Sequence, residues 1–403
     1  MLGTEGLDGF KGQLEQELVG NILPFWIEHA VDREQGGFYG ALTNDLQVYN
    51  HVPRSAILCA RVLWTYARAY SRFGEATYLE MARWAYAALT EVFWDAEYGG
   101  VYWTVDARGQ PVMDRKHHYA QAFAIYGLCA YFEATGEAQS LERAKALFRL
   151  LEKYAYDPAH GGYIEGSSRE WQALQDMRLS DRDLNCDKSM NTMLHILEAY
   201  TQLARLWAPA REPHRALIVD FLQRIVHPDG THFRLFFDNT WRSLLDHVSY
   251  GHDIEGSWLL VEAAEVQRDG ELLGQARAVA VTMAGAVYRN GIDTDGGLFY
   301  EGGPQGTVDD QKSWWVQAEA MVGFTNAYQL SGQEHFLKAA LHSWQYIGAH
   351  HVDRTHGGWF KVLLRDGTPD PESYKVGPWE CPYHHSRACM EMMDRLESIK
   401  EEG

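Results

Sequence analysis

Apolar residues recur along the chain at the spacing of amphipathic helices, and most of the helical runs come in pairs. Within the run 55–70, for instance, apolar residues return every three to four positions, and Gly74 then marks a helix end. The pairs are predicted at 55–70 and 78–93, 118–134 and 140–154, 189–207 and 214–226, 253–267 and 271–289, and 314–331 and 335–350. Single runs near 7–30 and 382–399 bring the total to about twelve helices.

A short glycine signature returns between the helical pairs. It consists of Gly-Gly or Asp-Gly followed by aromatic and β-branched residues, and it occurs at 36–40, 99–103, 161–165, 229–233, 296–300 and 357–361. One such signature would be an ordinary hairpin turn, but six at a step of roughly sixty residues indicate a repeat. The sequence therefore predicts six similar units that tile the whole chain.

Twelve helices in six similar hairpins can form an open solenoid or a closed ring. The first and last helices have no partner within their own part of the sequence, so they can pair with each other and complete the sixth unit. An open solenoid would instead leave its end faces as exposed apolar patches. The pattern favours an all-α (α/α)6 barrel, formed by residues 1–403 as a single domain, with short β-hairpin loops at one mouth.

Charge and cysteine content narrow the range of partners. The chain has 36 Lys+Arg against 55 Asp+Glu, a net charge of −19, so we expect neither nucleic acid nor an anionic membrane surface as a partner. Residues 1–8 lack the basic segment of a secretory signal, and no window reaches the ~20 apolar residues of a membrane helix. The five cysteines are scattered and form no C-x-x-C pair, which is typical of a cytoplasmic enzyme with reduced thiols.

Polar residues gather where the first helix of each pair begins. Arg61, His195, His252 and His384 belong to four different units. If the first helices form the inner ring of the barrel, these side chains meet in a cup at one mouth. His252 and Glu255 are three residues apart and share a helix face, so we expect Glu255 to orient the His252 ring.

This set of side chains suits proton abstraction next to a carbonyl group. One imidazole, with an ordinary pKa of ~6.5, removes the proton at C2 of an open-chain aldose, and a second imidazole returns a proton to the opposite face. Arg61 stabilises the enediolate oxygen. The 14 Trp and 22 Tyr offer flat faces for a sugar ring, and no GxGxxG, P-loop or G-x-S-x-G motif points to nucleotide or serine-esterase chemistry. The pattern predicts an aldose 2-epimerase.

The chain also resembles the N-acylglucosamine 2-epimerase superfamily, and within it the cellobiose 2-epimerases. The resemblance rests on Arg61-Val62-Leu63-Trp64, Tyr119-Ala120-Gln121, Met190-Asn191-Thr192 with His195, Tyr250-Gly251-His252-Asp253-Ile254-Glu255, Trp314-Trp315 with Gln317-Ala318-Glu319, and Pro382-Tyr383-His384. These motifs span nearly the whole chain and are specific in combination.

The resemblance implies an (α/α)6 barrel that needs no cofactor and no metal. It implies reversible conversion of a reducing-end glucose to mannose through ring opening and a cis-enediolate, in a monomer or weak homodimer. His252 and His384 would be the acid/base pair, supported by His195, Arg61 and Glu255. The residues expected to contact the sugar are Tyr119, Asn191, Trp315, Trp379, Asp183, Glu301 and Trp314.

Two departures from the family pattern leave the substrate open. Met193 stands where we expect a histidine, and His385-Ser386 replace Asn-Gly after the histidine of the last motif. We expect both changes to flank the pocket and to alter how a second sugar ring is held. Besides a cellobiose 2-epimerase, the sequence is therefore compatible with a mannose 2-epimerase acting on free glucose and mannose, or with a mannose isomerase.

Three other classes of function compete with the epimerase. A glycoside hydrolase would need two carboxylates about 5–10 Å apart across the glycosidic bond, for which the sequence offers Glu255, Glu319, Asp183 and Glu301. A metal-dependent isomerase would hold a divalent ion with the three histidines and a glutamate. A sugar-binding or protein-binding module would bind without turnover.

Overall fold

Residues 4–402 of the computed structural model form twelve helical segments, named α1 to α12. They are α1 (Thr4–Glu17, Leu18–Ile22, Leu23–Phe25 and Trp26–Ala30), α2 (Ala56–Phe73), α3 (Ala76–Ala87 and Ala88–Val92), α4 (His118–Thr135), α5 (Ala138–Tyr154), α6 (Met190–Leu206), α7 (Ala208–Ala210, Arg211–Asp220 and Phe221–Ile225), α8 (Tyr250–Gln267), α9 (Gly270–Asn290), α10 (Trp314–Ser331), α11 (Glu334–Tyr346 and Ile347–His351) and α12 (Tyr383–Glu402). Residues 1–3, which begin the stretch inspected for a secretory signal, and Gly403 lie outside the described residues.

Local sequence signals explain where the helices begin and end. The Ser55 hydroxyl accepts the N–H of Ile57 at the start of α2, and Ser189 caps α6 in the same way. Gly74 ends α2 in the left-handed region, with a φ of 73°, where a side chain would be strained. The outer helices α1, α3, α7 and α11 end in a π-helical turn just before a glycine signature, a detail that the apolar spacing does not predict.

The even-numbered helices form a closed inner ring. Each of them packs against the next, and α12 contacts α2 to close the circle. Helix α4 is almost uniformly apolar over its first fourteen residues and is buried over all of them, as expected for a helix surrounded by neighbours. Helix α1 packs against α12 and thereby completes the sixth hairpin. The predicted (α/α)6 barrel is confirmed, and the open solenoid is excluded.

Short antiparallel strands join consecutive units at the mouth where the inner helices begin. The strands are Arg54–Ser55, Thr104–Val105, Pro111–Met113, Lys116–His117, Gly166–Ser167, Lys188–Ser189, Phe236–Phe237, Val248–Ser249, Glu301–Gly303, Gly306–Asp309, Lys312–Ser313 and Val362–Leu363. In each of five units, the strand before the inner helix pairs with a strand in the loop of the next unit, as in the register Ser189 with Phe236. No helix within residues 4–402 is long and apolar enough to cross a membrane.

Buried ion pairs hold most of the glycine turns to the barrel. All six turns are closed by a β-bridge, such as the one between Tyr156 and Tyr163. In five of the turns within residues 4–402, an aspartate next to the bridge contacts a lysine or arginine near the following inner helix; the pairs are Asp32–Arg54, Asp95–Lys116, Asp157–Lys188, Asp293–Lys312 and Asp353–Lys375. The fourth turn has His227 and Val248 at these positions.

Replacement of Lys188 by methionine is expected to lower the free energy of unfolding by about 3–5 kcal/mol. The Lys188 ammonium is fully buried and lies 2.8 Å from Asp157 Oδ2, so its removal leaves a largely buried carboxylate without its cation. Urea denaturation measures the loss. The matched control is Lys145→Met, which breaks the pair between Lys145 and the exposed Glu142 carboxylate and should cost much less stability. Equal losses in the two variants would contradict a stabilising role for the buried pair.

Candidate active site

Each of the six inner helices contributes side chains to one cavity of about 610 Å³ at the mouth of the barrel. Every residue predicted for the site lines this cavity: Arg61, Tyr119, Asp183, Asn191, His195, His252, Glu255, Glu301, Trp314, Trp315, Trp379 and His384. The repeat explains the convergence, because equivalent helix starts in a closed ring face the same space. A cavity of this size is in the usual range for small-molecule sites.

His384 is held by a buried carboxylate behind the cavity wall. Its Nδ1 lies 2.8 Å from Glu319 Oε1, and the other carboxylate oxygen accepts the indole N–H of Trp258 at 3.1 Å. A carboxylate only accepts hydrogen bonds, so His384 donates from Nδ1 and carries its lone pair on Nε2. The ring is therefore arranged as a base toward the cavity.

His252 has a different partner from the one that the sequence predicts. Its Nδ1 lies 2.7 Å from the Ser249 hydroxyl, whereas the Glu255 carboxylate is 2.6 Å from Arg387. The predicted orienting contact between Glu255 and His252 is wrong, because a charge-assisted bond to a guanidinium outcompetes one to a neutral imidazole. A hydroxyl both donates and accepts, so Ser249 can hold either tautomer of the His252 ring.

His195 forms the kind of pair that the sequence predicts for His252. Its Nδ1 lies 3.0 Å from Glu198 Oε2, three residues further along α6, and both side chains are buried. The other oxygen of Glu198 accepts hydrogen bonds from the Tyr383 hydroxyl and from Arg387. The ring of His195 meets Tyr119 edge to face at 4.9 Å.

Arg387 links the supports of the histidines beneath the cavity. Its Nη2 lies 2.6 Å from Glu255 and 2.7 Å from Glu319, and its Nη1 contacts Glu198. All four side chains are buried. One guanidinium therefore contacts three carboxylates. Two of them orient histidines, since Glu198 contacts His195 and Glu319 contacts His384.

Arg61 provides a second cation, which lies on the cavity wall itself. Its Nη2 donates to the Tyr119 hydroxyl at 2.7 Å, and its guanidinium lies over the Phe123 ring at 4.1 Å. Burial opposes the charge, but the neighbouring Tyr119, Cys381 and Tyr383 groups raise the pKa of Arg61 above its ordinary value. The side chain therefore stays cationic and offers both a charge and an oriented hydroxyl to an oxygen in the cavity.

Aromatic side chains separate the polar groups of the cavity. The Trp315 ring lies 4.8 Å from the His252 ring and 5.5 Å from the His384 ring, measured between centroids. On another side, Trp379 meets Tyr119 edge to face at 5.9 Å. Flat apolar faces beside oriented donors and acceptors are well suited to binding a sugar ring.

The remaining predicted carboxylates are the residues Asp183 and Glu301. Asp183 accepts hydrogen bonds from the Ser180 N–H at 2.9 Å and from its hydroxyl at 2.5 Å. Glu301 lies 3.8 Å from His247, which also lines the cavity. Burial raises the pKa of both carboxyl groups. Neither carboxylate belongs to the group bound by Arg387.

Comparison with known proteins relates this site to a family. The family model for N-acylglucosamine 2-epimerase (GlcNAc 2-epimerase) matches residues 37–388. The chain belongs to the N-acylglucosamine 2-epimerase family. Cellobiose 2-epimerase from Bacteroides fragilis is 43% identical over 95% of this chain and 98% of its own length. D-mannose isomerase from Marinomonas mediterranea is 24% identical, over 93% of this chain and 95% of its own length.

A solved structure extends the similarity to three dimensions. Cellobiose 2-epimerase from Bacillus thermoamylovorans superposes with a TM-score of 0.92 at 38% identity, covering 96% of this chain and all of that one. The resemblance inferred from the motifs is confirmed. The chain is an isomerase of the carbohydrate epimerase class.

Three of the histidines that line the cavity, His195, His252 and His384, have a lowered pKa. Burial, with the nearby Arg61 guanidinium, lowers the pKa of His252 to about 3. Burial, with Arg61 and Arg387, holds the pKa of His384 well below its usual value, and burial also lowers the pKa of His195. Each imidazole therefore has a lone pair available for proton transfer.

The buried carboxyl groups differ in the direction of their pKa shifts. Burial and the nearby Glu319 carboxylate raise the pKa of Glu255 to about 8, against the opposing effect of Arg387. For Glu198 the balance is reversed, because Arg387 and His195 lower its pKa despite burial. Oε2 of Glu255 has no hydrogen-bond partner among residues 4–402, so this oxygen is available to a polar group in the cavity.

Sequence reasoning missed four residues that position the histidines: Ser249, Glu198, Glu319 and Arg387. The i, i+3 spacing of His195 and Glu198 indicates that the two side chains can meet, and His252 and Glu255 have the same spacing. Glu319 belongs to the Gln317-Ala318-Glu319 motif and Arg387 lies three residues after His384, but the carboxylates and imidazole that they contact come from other units. Only the closed ring brings them together.

The two departures from the family pattern lie beside cavity residues in the sequence, and their effect on a second sugar ring stays a prediction. Met193 is buried against the third glycine turn, where its sulfur accepts the N–H of Tyr163 at 3.3 Å. His385 is buried with its ring 4.9 Å from Trp359. Neither residue lines the cavity. Consecutive residues of an inner helix point to different sides, so only some positions face the mouth.

Glu255, Glu319 and His384 place ligand atoms within 4.8 Å of one another, which is also the spacing of a metal site. Arg387 already lies among these carboxylates, at 2.6 and 2.7 Å. A divalent ion at this place would be repelled by the guanidinium. The geometry thus favours the arginine as the cation that serves this cluster.

Proposed function

We propose that the chain is a cellobiose 2-epimerase-like enzyme, which interconverts glucose and mannose at the reducing end of a β-1,4-linked disaccharide. The observation that supports this most strongly is the pair of imidazoles, His252 and His384, which line one cavity with their rings 4.8 and 5.5 Å from the Trp315 ring. Two bases that approach one carbon from different sides are what inversion at C2 requires.

The proton transfer runs through the open-chain form of the sugar. One imidazole takes the C2 proton, a double bond forms between C1 and C2, and O1 gains the negative charge of a cis-enediolate. The second histidine, protonated on both ring nitrogens at this point, then delivers its cavity-facing proton to the opposite face of C2, and the carbonyl group re-forms at C1. The Nδ1 contact with Glu319 prepares His384 as the base in one direction, and the Ser249 contact lets His252 donate or accept in turn.

Arg61, Tyr119 and Glu255 stabilise the enediolate in this proposal. The guanidinium of Arg61 and the hydroxyl that it orients offer positive charge and a donor to O1. A protonated Glu255 adds a second donor without adding negative charge. A donor prepared in a buried site is worth more than the same donor in water, because it needs no reorganisation.

The preference for a disaccharide has separate support. The cavity of about 610 Å³ extends from the histidines to loop residues such as Asp309 and Gln311. The relatives named cellobiose 2-epimerase are 34–43% identical to the chain, whereas the D-mannose isomerase relative is 24% identical. A site for one ring would not need the outer part of the cavity.

A substrate panel tests this function. The purified protein is incubated separately with cellobiose, glucose and mannose, and the products are identified by NMR. We expect cellobiose to give its C2 epimer with a higher kcat/KM than free glucose gives mannose. A higher kcat/KM for glucose would replace the proposal by a mannose 2-epimerase.

Other products in the panel would select other functions. Fructose formed from mannose would indicate an isomerase, and glucose released from cellobiose would indicate a hydrolase. The hydrolase is disfavoured because Glu255 and Glu319 bind the same nitrogen of Arg387 and so lie side by side, not across a bond. Binding without any product would indicate a sugar-binding module.

A further inference from the structure

The fourth glycine turn, residues 226–233, differs from the other five in three coordinated positions. His227 stands where the other turns have the aspartate of the buried pair, and Val248 stands where they have its lysine or arginine. His232 takes the place of the second glycine, directly before the bridged residue Phe233. The ion pair that holds the other turns is therefore replaced here by two imidazoles.

The two imidazoles converge with a carboxylate across the hairpin. The backbone N–H of His227 donates to the backbone carbonyl of His232 at 2.8 Å. The two imidazole rings stack with their centroids 4.4 Å apart. His227 Nδ1 lies 2.9 Å from Asp229 Oδ1, and the Thr231 N–H and hydroxyl donate to the same oxygen at 2.9 and 2.6 Å. One ligand atom from each of His227, Asp229 and His232 lies within 4.8 Å of the others.

The space beside this turn is open and partly polar. A cavity of about 320 Å³ borders His232 and is lined by Val248, whose short side chain does not fill the volume that a lysine takes in other units. Asp253 lines the same cavity with a buried Oδ2 that has no hydrogen-bond partner within residues 4–402, while its Oδ1 accepts the Phe233 N–H at 2.8 Å. The cavity is roomy enough for waters that complete a coordination shell.

We propose that the fourth glycine turn binds one zinc ion through His227, Asp229 and His232, with water in the remaining position. Two imidazoles and one carboxylate form a ligand set that is typical of zinc. The ion takes the structural place of the lysine ammonium, because it brings positive charge to the one turn that lacks the buried pair. This site is separate from the histidine cavity and plays no part in sugar chemistry.

Zinc binding requires the three ligand atoms to lie at defined distances from the ion. Zinc holds imidazole nitrogens at about 2.0–2.1 Å and carboxylate oxygens at about 2.0–2.2 Å. Ligand atoms within 4.8 Å of one another must therefore move closer together around the ion. Rotation of two partly exposed histidine side chains on a hairpin achieves this without moving α7 or α8.

Zinc titration of the chelator-treated full-length protein tests the site. We expect calorimetry to show one equivalent bound per chain and the melting temperature to rise with zinc concentration. His227→Gln and His232→Gln should each weaken binding by at least roughly tenfold. The matched control, His342→Gln, removes an exposed imidazole on α11 and should leave binding unchanged.

Two results would overturn the proposal: no bound equivalent in the wild type, or the same affinity in both glutamine variants as in the control. Anomalous scattering from zinc-soaked crystals checks the position without any variant. A peak between His227 and His232 supports the site, and a peak only elsewhere excludes it. Sugar turnover by the same samples is measured separately, so failure of the zinc site and failure of the epimerase remain distinguishable.

Discussion

The His384→Ala variant is expected to lose epimerisation by roughly 10²–10⁴ in kcat, the usual contribution of an acid/base group. KM should change little, because the imidazole meets the sugar at C2 and not at its binding hydroxyls. The loss follows from the geometry: Glu319 fixes Nδ1 at 2.8 Å, and Nε2 is then the only nitrogen that can reach the cavity. Steady-state kinetics with cellobiose measures it.

A two-base reaction makes a sharper prediction for the same variant. His252 remains in place, so it can still remove the C2 proton of the one epimer that it faces and exchange that proton with solvent. His384→Ala should therefore wash label into C2 of one epimer without inversion, and His252→Ala should do so for the other epimer. Near-normal turnover in either variant would contradict these roles. Exchange of the C2 proton in the same epimer by both variants would also contradict the assignment of His252 and His384 to opposite faces of C2.

Replacement of Arg387 by methionine is expected to lower the free energy of unfolding by about 3–5 kcal/mol and to abolish turnover. The change leaves Glu198, Glu255 and Glu319 together in a buried site without the cation that contacts all three. Carboxylates in that situation take up protons. A protonated Glu319 no longer fixes the His384 ring as a base, so activity falls with stability.

The Arg395→Met variant is the matched control for this prediction. Arg395 lies two turns further along α12, is 18% exposed, and contacts Asn326, Gln329 and Glu391 away from the cavity. It should cost less stability than Arg387→Met, because Arg395 pairs with one carboxylate and not three, and it should leave turnover unchanged. Urea denaturation and steady-state kinetics on both variants decide the matter. An Arg387→Met protein with full stability and activity would show that the three carboxylates do not depend on this guanidinium.

Most of the fold could be predicted from the sequence, because the repeat depends on signals between residues that are close together in the chain. Apolar spacing placed the helices, and glycines with a left-handed backbone marked the turns, so positions such as Gly74 could be predicted from neighbours alone. The π-helical turns and the buried pairs such as Asp157–Lys188 could not be predicted in this way. They depend on how an outer helix meets the next unit.

For the site, too, the local features could be predicted from the sequence and the long-range contacts could not. All the predicted cavity residues line the cavity, because most lie near the start of an inner helix and the ring brings those starts together, while Asp183, Glu301 and Trp379 come from the segments that lead into inner helices. The partners of the histidines were harder to predict: Glu255 is three residues from His252, yet it binds Arg387, which is 132 residues away in sequence. Glu255 binds Arg387 because the guanidinium attracts it more strongly than a neutral imidazole does. This contact could not be predicted from the sequence, since Arg387 and its three carboxylate partners come from four different helices.

Solvent deuterium at C2 is the decisive measurement for proton transfer between two histidines. Cellobiose is incubated with the enzyme in deuterium oxide, and both epimers are examined by NMR early in the reaction. We expect the product epimer to carry deuterium at C2 while the remaining substrate does not, because the imidazole that delivers the proton has exchanged with solvent and the one that removed it has not yet returned it. Product that forms with its original hydrogen at C2 would contradict this mechanism.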